Sequence, residues 1–262
     1  MAELLEAVSN RVATLTMNRP DALNALSGEI MDGLLEALPR LAADPGIGCV
    51  VLAGAGRAFC AGGDVKSMAS GNEFQGEMED RMHALRSRME ISRMLHEIPK
   101  PTVAAVRGPA AGAGLSMALA CDVRIAAADA RFITAFARVG YSGDFGGSWF
   151  LTHLVGTAKA RELYYTSEPV ACEEAARLGL VNRVVSVEDF ESETQRFAES
   201  IAAGPSIALR YMKRNLNAAE VAPLAECLDL EAFGHTRTGM TEDHKEAAQA
   251  FVDKRQPVFR GR

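Results

Sequence analysis

Two stretches, VVLAGAGRAFCAGGD (50–64) and AAVRGPAAGAGLSMALACD (104–122), constrain the architecture of this chain more than any other feature. Each leaves a short apolar run of the kind that forms a strand buried on both faces. Each then passes through small residues and reaches glycines that let the backbone approach a neighbour or a ligand closely. Around them the pattern alternates. RVATLTM (11–17), CVVLAG (49–54), PTVAAV (101–106) and CDVRIAAAD (121–129) read as strands. Between them, Ser27 opens a helix with Ile30, Leu34, Leu35, Leu38 and Leu41 on one face. Residues 73–98, with Met78, Met82, Leu85, Met89, Met94, Leu95 and Ile98, read as one long amphipathic helix. That methionine stripe fits a packed core or a ligand groove.

After Gly140 the chain reads as mostly helical. A helix near 171–178 stops at Gly179, VNRVV (181–185) is a short strand, and Ser186 is placed to cap a helix bearing Phe190, Phe197 and Ile201. Further helices fill 205–253. Alternating strands and helices followed by helices alone predict an α/β core with a C-terminal helical extension.

Composition narrows the function. With 262 residues the chain suffices for one large domain. A formal charge of −6 without a Lys/Arg cluster argues against a nucleic-acid partner. No apolar run approaches the ~18 residues of a membrane helix, and the acidic start MAELLEAVSN lacks the apolar core of a leader. The cysteines (49, 60, 121, 172 and 227) are scattered without CxxC spacing, and the histidines show no HxxxH or HExxH pair. The expectation is a soluble cytoplasmic protein with no metal site and no membrane partner.

Three places offer chemistry. At a helix start the first N–H groups lack intrahelical partners, and the helix dipole is positive there. Two such junctions facing one another would hold a developing oxyanion; the other reading is close helix–strand packing. GLSMA (114–118) is one residue short of a GxSxG elbow, which makes Ser116 a candidate nucleophile. However, Ser116 lies inside an apolar segment, and His153, His235 and His244 all fall on helical stretches. GAGRAF (54–59) lacks the third glycine of a dinucleotide fingerprint. Finally, GYSGDFGGSWF (140–150) sets a lone carboxylate, Asp144, in a glycine-rich turn before an apolar helix. Read from the residues alone, Asp144 fits a helix N-cap near Gly146 and Gly147.

The segments MNRPDALNAL (17–26), AFCAGGDVKSM (58–68), RGPAAGAGLSMALACDVRIAA (107–127), GDFGG and AFVDKRQPVFRGR (250–262) occur in the order found in the crotonase, or enoyl-CoA hydratase/isomerase, superfamily. The chain resembles that family over nearly its whole length, and most resembles its branch of single-aspartate enoyl-CoA isomerases and epoxyphenylacetyl-CoA isomerases. The resemblance implies a crotonase (ClpP-like) fold of repeated ββα units over 1–200. It also implies a C-terminal helical region, 201–262, that assembles a homotrimer or a hexamer. The substrate would be an acyl-CoA thioester, with coenzyme A part of the substrate and no other cofactor. The oxyanion donors would be the main-chain N–H groups of Gly63 and Ala113; the family usually has glycine at the second position. Ala61, Asp64, Val65 and Lys66, with Asp21, Ala22 and Leu23, would line the coenzyme A path. Phe251 and Lys254 would reach the nucleotide of a neighbouring subunit.

The departures from the family pattern carry the functional expectation. Hydratases of the family hold one water between two glutamates; this chain has Ser116 and Phe136 at those positions. Asp144 lies eight residues beyond Phe136, where the family's isomerases place a carboxylate over the acyl chain. The expectation is a double-bond isomerase with Asp144 as proton shuttle and an acyl pocket formed by Ser116, Phe136 and Trp149. The alternatives are a hydratase using Asp144 alone and a non-catalytic acyl-CoA-binding protein.

Overall fold

A computed structural model describes residues 2–64 and 76–262. It opens with a hairpin of β1 (Leu4–Ser9) and β2 (Val12–Met17). The hairpin closes through Asn10 and Arg11 at φ of 49° and 65°, as a primed two-residue turn requires. From β2 onward the chain winds as a spiral. Each turn gives one strand to a large sheet and one short extended piece to a small sheet, then a helix. The first turn passes from β2 through a bridge at Leu26 into α1 (Gly28–Ala43). The second runs from β3 (Cys49–Gly54) through residues 60–63 and resumes at α2 (Met78–Arg88) and α3 (Glu90–Glu97). The third contains β4 (Thr102–Val106), β5 (Pro109–Ala111) and α4 (Ala113–Ala120). The fourth contains β6 (Val123–Ala127), β7 (Arg131–Ile133) and α5 (Gly147–Thr166). This is the repeated ββα layout expected from the resemblance.

The chain then adds β8 (Val170–Ala171), α6 (Cys172–Arg177), β9 (Arg183–Val185) and α7 (Phe190–Ala202). It ends in α8 (Ser206–Ala219), α9 (Leu224–Gly239) and α10 (Glu242–Val252). The large sheet has the order β1-β2-β3-β4-β6-β9, parallel from β2 onward, and the small one the order β5-β7-β8. The strands of the large sheet are apolar throughout because both faces are covered. Val50, Leu52, Ala104 and Val106 face α1, α3 and α4, whereas Cys49, Val51, Val103 and Ala105 face α7.

Four differences from the sequence reading have physical causes. The edge strand β1, LLEAVS, is exposed along almost its whole length and has no apolar periodicity to announce it. The expected helix over 73–98 is two helices, broken at Met89, and its first three residues lie outside the described residues. Only the second of the two buries a core face, through Ile91 and Leu95; Met78 and Met82 are exposed. Ser186 does not cap α7. Its Oγ accepts from the Asp189 N–H at 3.1 Å in the turn before, and Asp189 occupies the cap position. The apolar helix after Gly140 starts only at Gly147 and is broken at Gly156, where φ is 76° and ψ 163°.

The C-terminal helices are tied to the core by a buried lysine. The ammonium of Lys213 meets Asp122 Oδ2 at 2.8 Å and donates to the carbonyls of Leu95 and Lys100, both at 3.1 Å. Partnered in this way, a buried charge fixes one docking geometry for α8. The outer faces of these helices carry exposed Leu216, Leu224, Leu228, Phe233 and Phe251, and Val221 is exposed in the turn between the first two.

Candidate active site

The site is framed by main chain. The segment after β3 lies alongside β5: the N–H groups of Phe59 and Cys60 reach the Pro109 carbonyl at 3.1 and 3.2 Å. The Ala111 N–H in turn donates to the Cys60 carbonyl at 2.9 Å. Two glycines make this approach possible. A Cβ on Gly62 would lie 2.7 Å from the Ala111 oxygen and 3.5 Å from the Ala113 nitrogen, and one on Gly114 would lie 2.5 Å from the Cys60 oxygen. The amides of Gly63 and Ala113 are thereby brought to one place. Ala113 is the first residue of α4, so its N–H has no intrahelical acceptor. The preceding Gly112 has φ 51° and ψ −125°, a conformation closed to other residues.

Opposite this frame is the loop 140–146, with positive φ at Gly140, Gly143, Phe145 and Gly146. Asp144 is half-buried with its Oδ1 fully buried. It does not cap α5: the cap is Gly146, and only the Asp144 main-chain carbonyl takes part, accepting from the Gly147 N–H at 3.0 Å. Asp144, Gly63 and Ala113 all line one cavity of about 370 Å³. Met31, Met78, Met82 and Leu85 supply its apolar wall, and Arg81 and Arg88 add two guanidinium groups. Among the described lining residues Asp144 is the one carboxylate. The surroundings are poorly solvated. Burial, with a smaller contribution from the Asp144 charge, pushes the Cys60 thiol up to about 12, and the same two causes raise the Tyr164 hydroxyl.

The loops expected to carry coenzyme A meet next to this cavity. Asp21 and Ala22 end a 3-10 turn, and Leu23, at φ 50°, follows. The Leu23 carbonyl accepts from the Ala61 N–H at 2.9 Å, and the Leu26 N–H donates to the Gly62 carbonyl at 2.8 Å. Asp64 pairs with Arg19 at 3.2 Å. Val65 and Lys66 lie outside the described residues. Phe251 and Lys254, at the end of α10, are exposed. Asn24 is a residue that the sequence reading missed. Wholly buried, it accepts from the Arg19 N–H at 2.9 Å and donates to the carbonyls of Ala55 and Ala58 at 2.9 and 2.8 Å. It thus ties the 19–24 turn to the segment leading to Gly63. An asparagine at a turn that needs positive φ, here 56°, was the available signal.

The residues expected to form an acyl pocket lie apart from this cavity. Ser116 donates to the Gly112 carbonyl at 3.2 Å and packs so tightly on α5 that a Cβ on Gly147 would lie 2.3 Å from its Oγ. Phe136 stacks on Tyr164, with ring centroids 5.7 Å apart. Neither residue lines the cavity beside Asp144, because both are taken up in helix packing. Trp149 sits on the far side of the α5 start. It lines a second cavity of about 570 Å³, with its ring 4.1 Å from His153 and 5.5 Å from His96. Phe145, the residue common to the two linings, stands between the cavities. Among the described residues no cluster of His, Cys, Asp or Glu is arranged to hold a metal ion, and no helix is long and apolar enough to cross a membrane.

Known proteins resemble this chain in sequence and in fold. The enoyl-CoA hydratase/isomerase family matches residues 7–262. The chain is 36% identical to the 1,2-epoxyphenylacetyl-CoA isomerase of Escherichia coli K12, with 100% of each chain covered. It is 33% identical to a short-chain-enoyl-CoA hydratase of Clostridium acetobutylicum, over 94% of this chain and 92% of that one. The crystal structure of an enoyl-CoA hydratase from Polaromonas sp. JS666 superposes with a TM-score of 0.92 at 34% identity, over 98% and 99% of the two chains. With sequence and fold in agreement along its length, the chain belongs to the enoyl-CoA hydratase/isomerase family of the crotonase superfamily.

Proposed function

We propose that the protein is an acyl-CoA isomerase that moves a carbon–carbon double bond within an unsaturated acyl thioester. The observation that carries this reading is the cavity itself: one carboxylate among the described lining residues, Asp144, beside the amides of Gly63 and Ala113. The thioester carbonyl oxygen accepts from the two N–H groups. Asp144 removes a proton from C2 of a 3-enoyl-CoA, and the electron pair delocalises through C3–C4 and into the carbonyl. The dienolate oxygen then bears the charge, where preorganised amide donors are most effective. Asp144 returns the proton to C4, which leaves the double bond between C2 and C3 and regenerates the carboxylate. No water, metal or redox partner enters this balance.

The coenzyme A moiety would follow Asp21, Ala22, Leu23, Ala61, Asp64, Val65 and Lys66, with the pantetheine arm entering beside Gly63. The exposed apolar side chains on α8, α9 and α10 support assembly into a trimer or hexamer, since an interface between copies would cover them. In such an assembly Phe251 and Lys254 would face a neighbour's nucleotide.

Hydration is the competing reaction, and the 33% identity to a short-chain-enoyl-CoA hydratase keeps it in view. Against it, Ser116 and Phe136 stand where a water-holding carboxylate pair is expected, and both are committed to packing. The test is to give the purified protein 3-hexenoyl-CoA and crotonyl-CoA separately. Conjugated 2-enoyl product from the first with no 3-hydroxy product from the second is expected. Hydration of crotonyl-CoA without isomerisation would overturn the isomerase reading. Tight binding of both without turnover would reduce the protein to an acyl-CoA-binding module.

A further inference from the structure

Phe145, next to the proposed proton shuttle, adopts φ 49° while its side chain is only 3% exposed. Bulky residues take this conformation only where the surroundings impose it. Its neighbours Gly143 and Gly146 also have positive φ, but as glycines they do so without strain. A glycine would suit position 145 as well, so the retained ring calls for a reason. Its location supplies one. On one side lies the cavity of about 370 Å³ that holds Asp144; on the other lies the cavity of about 570 Å³ lined by Met89, Trp149, Phe150 and Val221 and also by the charged Arg93 and Glu97.

Resting on the acyl-CoA reading above, we infer that Phe145 is a specificity-determining partition. Its ring ends the reaction cavity and closes it against the second one, which restricts the protein to short or compact acyl groups. The apolar wall beyond the ring is the space into which a longer alkyl tail would extend once the ring is removed.

Binding of saturated acyl-CoAs tests this independently of turnover, because they lack the double bond on which the chemistry acts. Butanoyl-, octanoyl- and dodecanoyl-CoA are titrated calorimetrically into the wild type and into Phe145→Gly, with thermal melting to confirm folding. The wild-type affinity should level off along the series. The variant's affinity should keep rising, by about fourfold for each further methylene that becomes buried. Adding Val221→Trp to Phe145→Gly takes up part of the second cavity and should blunt that rise. If Phe145→Gly does not fold, Phe145→Leu opens the partition partly and should show a smaller rise. Parallel affinity profiles in wild type and variant, or a wild-type affinity that climbs through dodecanoyl-CoA unaided, would overturn the partition. Absence of binding by every acyl-CoA to both proteins would instead overturn the acyl-CoA reading on which it rests. Normal binding without isomerisation would leave the partition standing and remove only the proposed reaction.

Discussion

Gly63 and Ala113 belong to segments held by ladder hydrogen bonds and glycine contacts, whereas Asp144 and Phe145 belong to a loop with repeated positive φ. The first wall presents only main-chain N–H groups. It is indifferent to side chains, so alanine at 113 leaves a main-chain N–H in place. The second wall presents side chains, and its backbone is shaped to aim them. The comparison teaches how one frame serves several reactions. On the reading proposed above, the amides would stabilise the enolate of any acyl thioester, and the loop would decide which atoms receive the proton. Relatives named as an isomerase and as a hydratase share the fold at similar identity.

The comparison can be broken first at the loop. Asp144→Asn keeps the shape of the side chain and removes its basicity. Its isomerisation rate should fall roughly 10²–10⁴-fold, the usual contribution of a positioned acid–base group. A rate unchanged in a 3-enoyl-CoA assay would move the shuttle elsewhere. The main-chain wall can be broken as well, since Ala113 occupies the first helical position, where proline is tolerated. Ala113→Pro removes one donor and should lower kcat by about 10²–10³-fold with helix content preserved in circular dichroism. A wild-type kcat in this variant would show that the amide is not a donor.

The frame responds differently. Gly62 has φ 88°, and a Cβ there would sit 2.7 Å from the Ala111 oxygen. Gly62→Ala should lower unfolding stability by about 1–3 kcal/mol, read from the denaturant midpoint, and should weaken turnover with it. The smallest effect is expected far from both walls. Arg255 and the Val258 N–H hold the Glu246 carboxyl down to about 2, below its ordinary value. A depressed acid stabilises the folded form above its unfolded pKa, and that contribution is lost as pH falls through the folded value. Attachment of the tail at 255–258 should therefore loosen between about pH 4.5 and pH 2. Amide exchange would follow the loosening, and Glu246→Gln should remove this pH dependence.

The main-chain wall was far more legible in the sequence than the loop. Strands buried on both faces appear as unbroken apolar runs, α1 appears as a stripe with a Ser27 cap 3.2 Å from the Ile30 nitrogen, and the glycines at 62, 112 and 114 mark the junctions. The small sheet was not legible, because β5 and β7 are three residues long and leave no periodicity. In the loop, Asp144 stood out as a lone carboxylate. No local pattern, however, tells that Trp149 turns away from the cavity or that Phe145 adopts positive φ. Both depend on how α5 packs on α4, where Ser116 leaves room only for glycine at 147. A contact between distant helices decides which aromatic ring lines the cavity beside Asp144, and spacing along the chain does not encode it.

The most direct test of a single carboxylate working over main-chain donors is a single-turnover reaction with 3-enoyl-CoA carrying deuterium at C2. A lone shuttle that takes the label from C2 and delivers it to C4 should leave a measurable fraction of the 2-enoyl product deuterated at C4 by mass spectrometry. Asp144→Asn should form neither that product nor its unlabelled form at comparable rate. Product whose new C4 hydrogen comes wholly from solvent, formed as fast by Asp144→Asn as by the wild type, would contradict the account.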